Sequence, residues 1–413
     1  MTKRYVIIGA GHAGRRMAES LRELDEDAII IMVGEEVEIP YDRPALSKEG
    51  LVDEQGIQDS FVQNLAFYQD NRIELVLGTQ ASNIDAEKKI VTLNNNDELT
   101  YDQLILTTGS RVRTLDIPGA EQAEIYYLRT VVDSRKLREK AQYRKKVTIV
   151  GGGFIGLEVA ATLTSHFDCE VTLLEAGSRI LKRVMPKELS DYMHQLHTEK
   201  GVTIELNSCV HSIEKHGEDQ YTLHTSNGTI ESELIIVGIG VHPNQELAAN
   251  AGIEVNNGIL VDSKGHTNLK DIYAAGDVTA HFNPFYQAHI RLESWQVAEN
   301  QPQAIAQYIY GDTEAEFTDL PWLWSDQYDH NLQMLGDFCF ATQIIMRQEE
   351  GKPQNFAILG LNEENQLKAV CAVNQGRDMT MYRRLMQKEC AIPIDQITDS
   401  ATPLRSLQHL LRS

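Results

Sequence analysis

Short apolar runs recur along this chain, and the residues flanking each run set the element it predicts. Residues 5–9, YVIIG, read as a buried strand that enters the turn GAGHAG. A helical stretch, RRMAESLREL, follows, and the next run, AIIIMVG, is closed by Glu35. The same order returns at KKVTIV, with the turn GGGFIG, the helical LEVAATLTSHF and the strand CEVTLLE ending at Glu175. Farther on the pattern changes. NLQMLGD, TQIIMRQ, NFAILGLN and LKAVCAVN are alternating runs before a helical MTMYRRLMQKE, which predicts an antiparallel sheet with helix, hence α+β. VRTLDIPGA and VGIGVHPN, each with glycine or proline, read as two crossing points between domains. The expected architecture is α/β with two Rossmann-like dinucleotide-binding domains and an α+β C-terminal domain. The first domain is discontinuous, 1–111 and 240–318; the second spans 112–239; the C-terminal domain spans 319–413.

The two turns carry the first candidate chemistry. Gly9, Gly11 and Gly14, and again Gly151, Gly153 and Gly156, have G-x-G-x-x-G spacing between a strand and a helix. The first glycine allows the tight turn, the second lets a pyrophosphate approach the backbone, and the third lets helix and strand pack. The closing acids, Glu35 and Glu175, accept hydrogen bonds from a ribose. Two such units point to two dinucleotides, most economically FAD as a resident group and NAD(P) as a visitor, and so to an oxidoreductase. A carboxylate at Glu175 repels a 2′-phosphate and favours NADH. Downstream, Arg183 is expected near the pyrophosphate or adenosine, whereas Arg179, Lys182 and Lys187 also fit a solvated loop face.

Composition narrows the partners. The formal charge of −22 over 413 residues argues against general nucleic-acid binding and is otherwise the mark of a well-solvated surface. No apolar run reaches the roughly 18 residues of a membrane span, and MTKRYVIIGAGHAG lacks the apolar region and cleavage site of a signal peptide, so the expected location is the cytoplasm. The five cysteines, Cys169, Cys209, Cys339, Cys371 and Cys390, show no C-x-x-C or C-x-x-x-x-C spacing. No metal site and no close-spaced redox disulfide is expected from them.

GAGHAG, PYDRPALSK, LILTTGS, GGGFIGLE, GIGVHPN, IYAAGDV, LESWQVAENQ and PWLWSDQY together carry a resemblance over essentially the whole chain. The chain resembles the FAD-dependent ferredoxin reductases of Rieske dioxygenase and cytochrome P450 systems, within the glutathione-reductase-like superfamily. The resemblance implies that Glu35, Arg43, Lys48, Thr108, Gly109, Asp277, Glu293 and Trp295 serve FAD, and that Arg129, Glu175, Arg183 and Gly240 belong to the cofactor-binding set. By itself Asp277 fits a helix cap equally well; the resemblance puts it on the ribityl chain, with the next helix starting near the flavin pyrimidine ring. Lys48 is implied near the flavin N5 edge, paired with Glu158, which would face the nicotinamide; the alternative is a surface lysine. Trp324 is implied beside the flavin on the ferredoxin side with Trp295 as neighbour, although tryptophans at a domain edge also serve core packing.

In related flavin reductases a cysteine pair follows the first fingerprint, but IPYDRPALSKEG has none. The flavin is therefore expected to deliver electrons itself, from NADH to a 2Fe-2S ferredoxin feeding a Rieske-type oxygenase. The competing readings are a reductase for a rubredoxin or a P450 ferredoxin, and a redox-gated interaction protein resembling apoptosis-inducing factor. Monomer and homodimer stay open. A local basic patch with Arg291, Arg72, Arg383 and Arg384 is expected to receive an acidic ferredoxin despite the overall charge; these arginines alternatively neutralise nearby carboxylates.

Overall fold

Each glycine turn leaves the C-terminal end of a central parallel strand. The computed structural model describes residues 2–411, which divide into two compact units: 2–44, 58–111 and 241–319 in one, and 45–57, 112–240 and 320–411 in the other. In the first unit the sheet order is Ile272–Ala274, Gln103–Leu106, Arg4–Ile8, Ile29–Val33, Ile73–Val76, all parallel. The three central strands are largely buried on both faces, as their Val/Ile/Leu runs require, whereas the edge strand Ile73–Val76 exposes Glu74. Helix His12–Leu24 covers one face, with Met17, Ala18 and Leu21 packed beside Tyr5, Ile7 and Ile30.

The second unit repeats the plan, in the order Thr203–Leu206, Glu170–Glu175, Lys146–Val150, Leu234–Val237, Ile125–Tyr126. Its core runs without a break from Val147, Ile149 and Leu173 to Leu332, Met334, Ile358 and Val373, and includes Leu51. Residues 45–57, although early in the sequence, therefore pack with the second nucleotide sheet, as do residues 320–413. The latter form a five-stranded antiparallel sheet, Trp322–Gln327, His330–Gly336, Leu367–Val373, Phe356–Leu361, Gln343–Gln348, with helix Met379–Lys388. Among the described residues no helix is long and apolar enough to cross a membrane, and no group of three or more His, Cys, Asp or Glu is placed to hold a metal.

One buried cation closes the last segment onto this sheet. Arg347, on the edge strand Gln343–Gln348, donates to the carbonyls of Ile397, Asp399 and Thr402 at 2.9, 2.7 and 2.7 Å. A methionine there fills the space but leaves three carbonyls without their donor. Arg347→Met is expected to cost about 2–4 kcal/mol. The thermal midpoint should fall, and hydrogen exchange should rise first in residues 394–411.

Candidate functional site

The first turn is built by close contacts. At Gly9, with φ +119°, a Cβ would lie 2.1 Å from the Thr107 carbonyl oxygen, and at Gly14 it would lie 1.9 Å from the Gly9 oxygen. Gly11 differs: the nearest atom to a Cβ there is Nη2 of Arg43, at 3.9 Å. Helix His12–Leu24 starts at this open position with Gly11 as N-cap, no side-chain cap and no acid in its first turn. Unused N–H groups and the positive end of the helix dipole thus face a space bordered by a guanidinium, which suits a pyrophosphate. The second turn matches it. Cβ atoms at Gly151 and Gly156 would meet the Gly238 and Gly151 oxygens at 2.4 and 2.1 Å, while nothing stands within 4 Å of one at Gly153. Helix Phe154–His166 also lacks a side-chain cap and a first-turn acid. Both sets of residues fit a dinucleotide.

The acids differ between the two turns. Glu175 ends its strand, and its carboxylate accepts from the Gly152 N–H at 2.9 Å and the Gly177 N–H at 2.6 Å. Pairing of Val150 with Leu174 sets Glu175 level with Gly151; pairing of Ile8 with Val33 sets Gly34 level with Gly9. A Cβ at Gly34 would stand 2.5 Å from that of Ala10. With alanine in the first turn, the partner position must be glycine, and the acids fall one and two residues later. Glu35 is exposed. The neighbouring Glu36, missed by the fingerprint, receives Arg43 Nη2 at 2.6 Å and the Tyr41 hydroxyl at 2.5 Å. Burial pulls the Arg43 guanidinium down, but Tyr41, Glu36 and Asp277 outweigh it and hold it above its ordinary value.

Other residues of the first unit fall around this turn. The Thr108 hydroxyl donates to the Asn244 carbonyl at 2.7 Å, and the Asn244 N–H donates to the Gly109 carbonyl at 2.9 Å, so the last residue of GIGVHPN ties down LILTTGS. Asp277 lies in a turn before strand Thr279–Asn283, which removes the helix-cap reading; the next helix is Trp295–Tyr310, capped by the Ser294 hydroxyl. Trp295 donates its indole N–H to Asp42 at 3.3 Å and meets His12 edge-on at 5.3 Å. Glu293 is paired with Arg291, and Arg72 donates to the Glu26 carbonyl at 2.5 Å, so both arginines have local acceptors. Arg383 and Arg384 lie on helix Met379–Lys388, the second of them exposed.

In the second unit the structure brings Lys48, Glu158 and Trp324 together. Lys48 Nζ lies 3.7 Å from Glu158, 3.6 Å from Asp326, and 5.8 Å from the Trp324 ring centroid. Trp324 stacks on Trp322 at 5.2 Å. Glu158, near the start of helix Phe154–His166, is buried and accepts from the Ser47 and Ser325 hydroxyls, each at 2.5 Å. Burial drives its carboxyl above the usual range, against Lys48 and the two hydroxyls. Both serines adjoin residues singled out by sequence, in LSK and WSD, and neither was. Gly240, with φ +103°, is flanked by Arg183 and Arg113, whose Nη2 and Cδ would lie 3.3 and 3.8 Å from a Cβ there. Arg179 is half-buried and donates to the Met185 carbonyl at 2.8 Å and the Ser190 hydroxyl at 2.5 Å. The Arg129 N–H donates to Asp133 at 3.1 Å, beside the Thr130–Asp133 capping box.

Comparison with known proteins places this geometry. Residues 3–302 match the pyridine nucleotide-disulphide oxidoreductase family, and residues 322–408 match the reductase C-terminal family. The chain is 43% identical, over 97% of its length and 98% of the relative's, to the anthranilate 1,2-dioxygenase system ferredoxin–NAD(+) reductase component of Burkholderia cepacia. Among solved structures it is similar to the reductase of a covalent putidaredoxin reductase–putidaredoxin complex, with TM-score 0.94, 30% identity, and coverage of 100% of this chain and 99% of that one. It is also similar to the ferredoxin reductase for the CYP199A2 system of Rhodopseudomonas palustris, with TM-score 0.92, 32% identity, and coverage of 98% and 99%.

The turns separate folding from binding. Gly14→Ala drives a methyl into a backbone carbonyl and is expected to lose at least about 3 kcal/mol or fail to fold. Gly11→Ala is expected to keep the thermal stability of the ligand-free protein but to reduce co-purified chromophore, read by visible absorbance. Equal loss of chromophore and stability in both variants would contradict the open space at Gly11.

Proposed function

The chain belongs to the pyridine nucleotide-disulphide oxidoreductase family, and from that premise we infer an NADH:ferredoxin oxidoreductase with FAD as its resident cofactor. We assign FAD to the first turn, with Arg43, Thr108, Gly109 and Asp277 around it, and NADH to the second, with Glu175 and Arg183. When bound, FAD supplies the chemistry of accepting hydride from NADH and releasing electrons singly. The observation that carries the reading is the cysteine set. All five are free, Cys371 is wholly buried with its thiol pushed up to about 12, and Cys169 is pushed up to about 11. These two thiols are poor nucleophiles near neutral pH, and none of the five is paired with another; we therefore take the electrons to pass from cofactor to acceptor without a thiol relay. The similarity to a dioxygenase-system component supports a 2Fe-2S ferredoxin of a Rieske-type oxygenase as that acceptor.

The chain's own residues position and discriminate. Glu158 and Lys48 form a buried pair that we place at the nicotinamide end, with Ser47 and Ser325 holding the carboxylate and Trp324 over the lysine. Glu175, fixed by two N–H groups, presents its charge where an NADPH 2′-phosphate would sit, and Arg179 is occupied within its own loop. We retain three domains, with residues 319–413 as the third, and place the protein in the cytoplasm.

Two outcomes test this reading. NADH should reduce the flavin more efficiently than NADPH, and Glu175→Ala should narrow the ratio of kcat/KM by roughly ten- to a hundredfold, the worth of a charged hydrogen bond. Equal efficiency in the parent protein sinks the NADH assignment. A variant with alanine at Cys371 and serine at the other four cysteines should keep NADH-driven reduction of a 2Fe-2S ferredoxin in a folded, FAD-loaded protein. Selective loss of ferredoxin reduction with normal flavin reduction would reveal a thiol relay.

A further inference from the structure

A histidine follows the second glycine of the first turn. His12 opens helix His12–Leu24, and its side chain is about nine-tenths buried. Its Nδ1 meets Asp42, from the segment before Arg43, and its Nε2 meets Glu299 of helix Trp295–Tyr310 at 2.7 Å. A neutral imidazole has one N–H and donates to only one of these carboxylates; an imidazolium donates to both. The remaining groups facing it are the Trp295 ring and, on its own helix, Arg15, whose Nη2 stands 3.2 Å from Nε2 and 2.9 Å from the same Glu299 oxygen. Arg15 also pairs with Glu19 at 2.7 Å, and Arg16 with Glu299 at 3.1 Å. With His12 protonated, it joins Arg15 and Arg16 against Asp42, Glu19, Glu299 and, at the rim, Glu23; loss of that proton makes the cluster one charge more negative.

Asp42 is the chain neighbour of Arg43, the guanidinium that borders the open space at Gly11. We propose that His12 is a positioning residue of the first turn, its imidazolium strapping Asp42 and Glu299 to the helix start and so holding Arg43 over the site of the dinucleotide pyrophosphate. The inference rests on the assignment of FAD to this turn. Loss of the proton frees one end of the strap and adds a net negative charge beside a pyrophosphate that is itself negative, and both effects weaken retention.

The direction with pH follows from the same contacts. Burial lowers the His12 imidazole, but its hydrogen bonds to Asp42 and Glu299 more than offset this, so it stands above its ordinary value. A group raised in the folded state contributes fully below its unfolded value and ceases to contribute as pH rises through its folded value. A bound pyrophosphate favours the imidazolium further, so FAD should be held most tightly below the His12 transition and lose affinity as pH rises through it.

The test measures the FAD dissociation constant, from the fluorescence of released FAD, between about pH 6 and about pH 9.5 for the parent and His12→Gln. The parent should lose roughly tenfold in affinity across the alkaline range, and His12→Gln should start roughly tenfold weaker at the acid end and stay flat. A flat parent profile overturns the proposal, as does a glutamine variant that keeps the parent's affinity and slope. Should that variant fail to fold, the parent profile still decides, together with 15N spectra of histidine-labelled protein over the same pH range, in which both His12 ring nitrogens should report N–H at the acid end and one should lose it where FAD affinity falls. A His12 that stays neutral throughout, or loses its proton away from the fall in affinity, overturns it. A protein that binds no FAD at any pH overturns the cofactor assignment, and this inference with it; one that binds FAD with a flat profile overturns this inference alone.

Discussion

The contact between the third glycine of each turn and the carbonyl of the first sets the geometry on which both nucleotide sites depend. The distances of 1.9 and 2.1 Å from a Cβ at Gly14 and Gly156 to the Gly9 and Gly151 oxygens leave room for a hydrogen atom and nothing larger. That closeness brings each helix onto its central strand and brings its N-terminus level with the strand's end. Leu157, Ala160 and Leu163 then pack over Ile149 and Leu173 in one core; Met17 and Leu21 pack over Ile7 and Ile30 in the other. The middle glycine is open in both turns because the helix has been drawn in beside it. A tight contact on one side of the turn thus produces the space on the other.

Placing Glu158 inside the second of these helices has an electrostatic cost. An unpaired carboxylate in a core of Leu157, Val159 and Ala160 would cost several kcal/mol. Here a lysine and two hydroxyls converge on it, one hydroxyl and the lysine from residues 45–57 and the other hydroxyl from strand Trp322–Gln327. This gives a physical reason for the early segment 45–57 and the late segment 320–413 to belong to one compact unit: each brings part of the compensation for the same buried charge. Leu51 and Leu332 seal the arrangement within a shared apolar core. The Ser134 hydroxyl bonded to the Leu46 carbonyl, and the Thr162 hydroxyl bonded to the Ser47 carbonyl, fix the backbone that presents Ser47 and Lys48.

Legibility from sequence followed the range of the forces involved. Strand, turn and helix are local, so both strand–turn–helix units and the antiparallel runs of the C-terminal segment could be read from spacing and periodicity. The packing of 45–57 with residues far along the chain could not: its Lys48–Glu158 pair, whose members lie 110 residues apart, was implied by the family resemblance and by no local pattern. Ser47, Ser325 and Asn244 were hidden for a related reason. A serine or asparagine has no periodic signature, and each acts through a partner that only the fold brings near. Glu36 was hidden by its neighbour: the fingerprint names the first acid after the strand, whereas Arg43 and Tyr41 engage the second.

The two turns also show how one small substitution redistributes function within a shared plan. In GGGFIG the middle residue of the tight turn is Gly152, and the space above it admits Glu175, level with Gly151, to accept its N–H. In GAGHAG the corresponding residue is Ala10, whose methyl claims that space and obliges position 34 to be glycine. An acid displaced from the strand end no longer holds the turn directly. It is free to engage Arg43, and the hold on the turn passes to another residue. His12 occupies that role: it stands at the helix start, and Asp42 and Glu299 reach it from outside the glycine–strand pair. The second turn, held by an acid at its own strand end, has Phe154 at the equivalent position. One methyl group therefore separates a turn secured by a backbone hydrogen bond to Glu175 from one secured by a histidine held between two carboxylates.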